Sequence, residues 1–190
     1  MAGVMAAGGA VAVAWPMIAQ MEPASDTVAA AGPVTVDLAK VAPGQQITVL
    51  WASKPVFIVN RTPAALAELA KPSVLAMLRD PGSDHRQQPP YAKNWSRSVQ
   101  PEYLVLVGIC THLGCIPGYT PTVGALGPDW PGGWLCPCHG SKYDLAGRVF
   151  KSVPAPLNLP VPPYQLTGTT LVIGQNPPGS DFTISDVEVL

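Results

Sequence analysis

Apart from Gln20, the first 21 residues of the chain are apolar or small, and none of them carries a charged side chain. A helix of that length would extend about 31 Å, close to the hydrocarbon thickness of a bilayer. The pattern therefore predicts a single transmembrane anchor over residues 1–21. A cleaved signal peptide and a buried core helix are the alternatives. A signal peptide opens with a positive segment, whereas the first basic residue here is Lys40.

Residues 22–32, with the sequence EPASDTVAAAG, are small and polar and show no apolar periodicity. This composition predicts a flexible tether, or hinge, between the anchor and the rest of the chain. The three consecutive alanines at 29–31 can form a helical turn or stay extended, so the tether could change its length between two states.

From residue 33 onward, short runs of β-branched and aromatic residues alternate with turn residues. Strands are expected at residues 34–36, 46–51, 56–60, 103–107, 148–150, 164–167 and 170–173. The last two flank Gly168 and form a predicted hairpin. One short helix is expected over residues 63–69, because Thr62 can cap it and Pro63 suits its first position. The sequence thus predicts a mainly β head over residues 33–190, an antiparallel β-sandwich or barrel.

Two segments of the head have a different pattern. Residues 80–100 are polar and include one Gly and three Pro, which predicts an exposed excursion with His85 as a solvated loop residue. The tail at 175–190 has apolar residues at positions 182, 184, 187 and 189, which could add an edge strand.

Composition narrows the class of protein. The chain has 190 residues, which excludes a large multidomain enzyme. The 11 Lys and Arg nearly balance the 12 Asp and Glu. A net charge of -1 offers no reservoir of positive potential, which argues against nucleic acid as a partner. All four Cys and two of the three His fall between positions 110 and 139, so the chemistry is expected there.

Two short motifs hold those residues, CTHLGC at 110–115 and CPCHGS at 136–141. A metal site needs four ligands, and one Cys and one His can converge from each loop. The candidate ligands are Cys110, His112, Cys136 and His139. The remaining cysteines, Cys115 and Cys138, could then form a disulfide that joins the loops. A structural zinc site made by the same residues is the alternative.

With both motifs intact, Tyr143 after them, and the order of anchor, Ala-rich tether and β head, the sequence resembles the Rieske iron-sulfur subunit of the cytochrome bc complex. The resemblance covers essentially the whole chain. It implies one Rieske-type [2Fe-2S] cluster in a cluster-binding subdomain at about residues 108–157. It implies that Cys110 and Cys136 bind one iron, that His112 and His139 bind the other, and that Cys115 is bridged to Cys138.

The resemblance also implies roles for residues around the cluster. The hydroxyls of Ser141 and Tyr143 are expected to donate hydrogen bonds to a bridging sulfide and to the Cys110 thiolate, which raises the reduction potential. Leu113 and Pro154 are expected to form an exposed docking surface.

For three further positions we have expectations about the backbone conformation. Gly114 and Gly140 are expected to let the loop backbone approach the site closely. Val153 stands where the family's Gly-Pro-Ala-Pro segment has Gly, and a β-branched residue disfavours a positive φ.

The function that the resemblance implies is electron transfer in quinol:cytochrome c oxidoreductase, a translocase of the respiratory chain. The cluster would accept an electron from ubiquinol at cytochrome b, with proton uptake by His112 or His139, and pass it to the c-type cytochrome, contributing to proton translocation. A Rieske-type ferredoxin or oxygenase component, with the same ligands but neither disulfide nor anchor, is the alternative. A membrane-anchored β-sandwich binding module without redox activity is a further one.

A disulfide persists in an oxidising compartment. The chain is therefore expected in the bacterial inner membrane as a single-pass protein, with its head in the periplasm. The alternative is the mitochondrial inner membrane, with the head in the intermembrane space.

Overall fold

The computed structural model of the chain describes residues 2–19 and 32–188. It divides into two compact units, Met1–Gly32 and Pro33–Leu190. In the first unit the described residues form one α-helix, α1, over Ala2–Ala19. Among the described residues, no helix combines the length and the apolarity that a membrane crossing requires, and the predicted anchor over 1–21 is not confirmed. The predicted tether at 22–32 lies outside the described residues except for its last position, Gly32.

The described part of the second unit contains nine strands and two short α-helices. The strands are β1 (Val34–Asp37), β2 (Gln46–Trp51), β3 (Lys54–Asn60), β4 (Tyr103–Val107), β5 (Gly118–Thr120), β6 (Gly133–Leu135), β7 (Lys142–Asp144), β8 (Tyr164–Thr167) and β9 (Thr170–Ile173). The helices are α2 (Pro63–Leu69) and α3 (Pro72–Met77).

The strands form three separate sheets, and every pairing is antiparallel. The strand orders are β1-β9-β8, β2-β3-β4 and β5-β6-β7. Each sheet is open, because three strands are too few to close on themselves. The prediction of a mainly β, antiparallel fold is therefore confirmed. The barrel, which was one of the two predicted architectures, is wrong.

Most predicted elements lie where the pattern placed them. Strands β2, β4, β8 and β9 and helix α2 have the predicted bounds. The Thr62 side chain caps α2 by accepting the Ala65 N–H at 3.2 Å, as expected. Helix α3 was not predicted, since the residue before it, Lys71, provides no side-chain cap that the sequence could signal.

The strand predicted at 148–150 is wrong, since this segment makes only isolated bridges. The Val149 N–H donates to the side chain of Asn158 at 2.8 Å, so it is not available to a neighbouring strand. The edge strand predicted for the tail is also absent from its described residues, which form a 3₁₀ turn over Ile184–Asp186.

Residues 80–100 are only in part the exposed excursion that their polarity predicted: His85 is exposed as expected, but much of the segment is buried. Seven of their polar residues are buried: Asp80, Ser83, Gln87, Gln88, Ser96, Arg97 and Ser98. Two buried guanidinium groups connect this segment to the rest of the head by hydrogen bonds. Arg97 donates to the Ala146 carbonyl at 3.0 Å, and Arg61 donates to the carbonyls of Ser96 and Leu145. Hydrogen bonding to distant carbonyls lets polar residues take core positions.

A buried ion pair lies where strand β7 ends. The Arg148 and Asp144 side chains are 1% and 0% exposed, and Arg148 Nε donates to Asp144 Oδ2 at 2.8 Å. Arg148 also donates to the Leu69 carbonyl at 2.9 Å, and Asp144 Oδ1 accepts the Ala146 N–H at 2.9 Å. The pair thus connects the hairpin β6–β7 to helix α2.

We expect Asp144→Ala to lower the free energy of unfolding by about 3–5 kcal/mol, because it leaves the Arg148 charge buried without a counterion. Lys71→Ala, which breaks the exposed pair with Glu68, should cost at most about 1 kcal/mol. Urea unfolding followed by tryptophan fluorescence measures both. Equal losses in the two variants would contradict this account of the ion pair.

Candidate metal centre

The two motifs form loops at the ends of strands. The first motif, 110–115, follows β4, which is the edge strand of the sheet β2-β3-β4. The second, 136–141, is the turn of the hairpin β6–β7, in which Trp134 pairs with Tyr143 and Leu135 with Lys142. The strands on either side therefore fix the ends of each loop.

The two loops share one backbone design. The N–H of Cys110 donates to the Cys115 carbonyl at 2.8 Å, and the N–H of Cys136 donates to the Ser141 carbonyl at 2.7 Å. In each loop the glycine N–H also donates to the carbonyl of the first cysteine, at 3.0 Å in both. Each motif thus presents its candidate metal ligands from a six-residue loop with the same backbone hydrogen bonds.

Gly114 and Gly140 have φ values of +82° and +75°, the left-handed region that favours glycine. No atom lies within 4 Å of where a Cβ would stand at either position. The positive φ of the sharp turn therefore accounts for both glycines, and their close approach to a bound cluster stays a prediction.

The four cysteines divide into a bonded pair and two free thiols. A disulfide joins Cys115 to Cys138, in agreement with the pairing that the resemblance implied. Cys110 and Cys136 are free and buried. The sulfurs of Cys115, Cys136 and Cys138 lie within 4.8 Å of one another, but the two bonded sulfurs offer no thiolate. The disulfide therefore lies beside the site, and the free thiols are the sulfur ligands available to it.

The two candidate histidines are also brought together. The ring centroids of His112 and His139 are 4.8 Å apart, and their planes are nearly perpendicular, at 84°. His112 is half-buried and His139 is exposed. Each loop thus contributes one buried sulfur and one imidazole nearer the solvent.

Burial raises the pKa of the Cys136 thiol, and the neighbouring Cys110 thiol raises it further. Such a thiol keeps its proton until a cation compensates the charge of the thiolate. Two adjacent buried thiols with two imidazoles are a donor set for iron or zinc, because both metals accept sulfur and nitrogen. The residues present fit a metal cluster with mixed ligands.

The Tyr143 hydroxyl lies 3.2 Å from Cys110 Sγ and accepts the Thr111 N–H at 3.1 Å. Because its oxygen accepts that N–H, its own hydrogen is free to point toward the sulfur or toward Thr111 Oγ1, which is also 3.2 Å away. Thr111 Oγ1 in turn donates to the Leu157 carbonyl at 2.7 Å. Burial raises the pKa of Tyr143 above its ordinary value, so the phenol keeps its proton and remains a donor.

The Ser141 hydroxyl is fully buried and accepts the Ala155 N–H at 3.0 Å. Its hydrogen therefore remains available to an acceptor inside the site. Thr111 is a residue of the site that sequence reasoning missed. Its hydroxyl binds Leu157, which lies 46 positions away, and no local pattern signals that contact.

The segment that contains Val153 and Pro154 packs against both ligand loops, through Ala155 on one side and Leu157 on the other. The positive φ in this segment belongs to Ser152, at +58°, and not to Val153. The loop therefore forms without the strain that a β-branched residue would bring. Pro154 is exposed, and Leu113 is 71% exposed, so both docking candidates are accessible on the described surface.

Comparison with known proteins assigns the class. Residues 88–164, which include both motifs, match the model of the Rieske [2Fe-2S] domain. The chain thus contains a Rieske domain, and its predicted cofactor, a [2Fe-2S] cluster, agrees with the donors that the loops present.

Relatives of known name extend along most of the chain. A ubiquinol-cytochrome c reductase iron-sulfur subunit from Allochromatium vinosum is 51% identical over 164 residues, which are 85% of this chain and 78% of the relative. The subunit of the same name from Rhodospirillum rubrum is 49% identical over 87% of this chain and 85% of the relative. The chain belongs to this family of iron-sulfur subunits. A solved structure titled "Hyperthermophilic respiratory Complex III" aligns at 24% identity with a TM-score of 0.48, over 90% of this chain and 96% of that one.

The disulfide generates a stability prediction. Cys115→Ser combined with Cys138→Ser opens a covalent loop of sequence separation 23, which should lower the free energy of unfolding by about 3 kcal/mol. Thermal unfolding of the two proteins measures the difference. Reduced wild-type protein is the control and should match the variant. An unchanged stability in the double variant would show that the loops are held by their hydrogen bonds alone.

Proposed function

We propose that this chain is the electron-transfer subunit of a quinol:cytochrome c oxidoreductase, and that its head takes an electron from ubiquinol at cytochrome b and delivers it to a c-type cytochrome. One observation carries the proposal. Two disulfide-joined loops of the same design each present a buried thiol and an imidazole, and one imidazole, His139, is exposed to solvent.

The ligand set follows from burial and pairing. The neighbouring thiols of Cys110 and Cys136 would bind one iron, and the facing imidazoles of His112 and His139 would bind the other. A [2Fe-2S] cluster with two neutral imidazole ligands supplies a one-electron acceptor of higher potential than an all-thiolate cluster.

The histidines also provide the proton acceptor. An imidazole that binds a metal through one ring nitrogen keeps its second nitrogen for a hydrogen bond. Because His139 is exposed, that nitrogen can accept the proton of a quinol hydroxyl. Leu113 and Pro154, both exposed on segments around the site, would form the apolar surface that docks against cytochrome b.

The proposal includes a membrane anchor over residues 1–21 and a tether over 22–32 that lets the head move between its two partners. The disulfide supports an oxidising compartment for the head, which in a bacterium is the periplasm and in a mitochondrion the intermembrane space. The assembled complex would act as an oxidoreductase and contribute to proton translocation.

The disulfide and the named relatives favour this function over a Rieske-type ferredoxin or an oxygenase component. In the ferredoxin alternative the four ligands would serve without a covalent connection between the loops. A site that depends on Cys115 and Cys138 as a bonded pair is therefore better explained by the reductase subunit.

Removal of either hydroxyl near the sulfurs should lower the reduction potential and leave the cluster in place. Ser141→Ala and Tyr143→Phe each remove one donor that stabilises the reduced state, with an expected fall of roughly 60–130 mV, equivalent to about 1.5–3 kcal/mol for one electron. Tyr119→Phe is the control, because that hydroxyl donates to the Gly44 carbonyl instead. Redox titration of the absorption spectrum measures the shift, and unchanged potentials would contradict the assigned roles.

Docking tests the proposed function itself. Leu113→Asp should slow quinol:cytochrome c turnover of the assembled complex by about tenfold or more, because a charge would have to be desolvated at the contact with cytochrome b. The potential of the variant should not change. Leu50→Asp is the matched control, since Leu50 is similarly exposed at 68% but lies on strand β2. Full turnover in the Leu113 variant would contradict the proposed docking surface.

A further inference from the structure

Residues 183–188 form a short segment that we call the strap. It is attached to residues 85–87 by polar contacts at several points. The contacts are Glu188 N–H to the Arg86 carbonyl at 3.0 Å, Gln87 Nε2 to the Glu188 carbonyl at 2.8 Å, His85 Nδ1 to Glu188 Oε2 at 2.9 Å, and Arg86 to Asp186 Oδ1 at 3.5 Å. Exposed ion pairs hold weakly on their own, so the backbone bonds at Glu188 are the specific part of the attachment.

The strap also has a defined internal structure and an apolar inner side. Its first residue, Thr183, and Asp186 cap each other around the 3₁₀ turn. Phe182, just before the strap, is buried, and its carbonyl accepts the Asn176 side-chain amide at 2.7 Å. Ile184 packs against the main core. These contacts indicate that the strap is packed in a defined position on the head.

A cavity of about 380 Å³ lies between the strap and the first ligand loop. Ile184 and Val187 line it from the strap, and Ile109, Cys110 and Thr111 line it from the loop. An open, largely apolar cavity therefore separates the strap from Cys110, the residue that would bind iron.

Hydrogen bonds connect the attachment point of the strap to the stem of the same loop. The Gln87 carbonyl accepts the Val161 N–H at 2.8 Å, and the carbonyl of the preceding residue, Pro160, accepts the Val107 N–H at 2.8 Å. Val107 ends strand β4, three positions before Cys110. Movement of residues 85–87 would thus be transmitted to the backbone that carries Cys110.

We propose that the strap is a positioning element of the metal centre, which lines the cavity beside Cys110 and Thr111 and holds the stem of the first ligand loop. The proposal rests on the proposed function only through the assignment of Cys110 as a ligand. Glu188 is the residue on which the attachment depends, because its N–H, carbonyl and carboxylate all bind residues 85–87.

The test uses the full chain with its cluster and three variants. Glu188→Pro removes both the N–H that binds Arg86 and the carboxylate that meets His85. Glu188→Gln keeps the N–H and an oxygen acceptor and should restore wild-type behaviour. Asp181→Asn is the matched control, because Asp181 is exposed and makes no hydrogen bond or ion pair with any residue the structure describes. The measurements are hydrogen exchange of the amides at 107–111 and 160–161, and the rate at which a chelator removes iron.

In Glu188→Pro we expect both rates to rise about tenfold, while Glu188→Gln and Asp181→Asn stay at the wild-type rates. Faster exchange confined to the strap and residues 85–87, with iron loss unchanged, would overturn the proposal. If Glu188→Pro does not fold, Gln87→Ala replaces it, because it removes the side-chain donor to the Glu188 carbonyl, and the same two outcomes apply. Failure of the proposed function is distinguishable, since it would appear as a wild-type protein that holds no [2Fe-2S] cluster.

Discussion

Donors on two loops can share one metal site only if the loops are held face to face. Here a covalent bond between Cys115 and Cys138 holds them so, beside the site and not within it. Because both loops use the same backbone hydrogen bonds, the bond joins two matched halves. Each half then offers one buried thiol and one imidazole, and the ring centroids of the two imidazoles lie 4.8 Å apart. The division into a buried sulfur side and a more exposed nitrogen side follows from this arrangement.

The part of the head next to the loops contains three buried cations. Arg61, Arg97 and Arg148 are all buried, and they donate to carbonyls at positions 145–147 and elsewhere. Burial lowers the pKa of Arg61 to about 10 and that of Arg97 to about 9, which reflects the cost of removing these charges from water. A guanidinium that lost its carbonyl or carboxylate partners would be a buried charge without a partner. These buried arginines therefore fix the position of the hairpin β6–β7, which carries the second ligand loop.

Local patterns predicted those parts of the fold whose partners are close in sequence. The hairpin β8–β9, the capped helix α2 and the donors of both motifs belong to this group. The burial of polar residues within the segment 80–100 could not be predicted, because Arg97 binds a carbonyl 49 positions away and Arg61 binds one 84 positions away. The Thr111–Leu157 bond and the strap were missed for the same reason. The pairing of Cys115 with Cys138 came from the two motifs together with the family that they indicate.

The central claim is that sulfur and nitrogen ligands from both loops share one [2Fe-2S] cluster. Electron–nuclear double resonance of the reduced protein tests it most directly, because nitrogens bound to iron give hyperfine couplings that thiolate ligands cannot give. Two strongly coupled nitrogens are predicted in the wild-type protein, and one of the two should be lost when either His112 or His139 is replaced by Cys. A reduced cluster without strong nitrogen coupling would contradict the account, as would a coupling that persists unchanged in both variants.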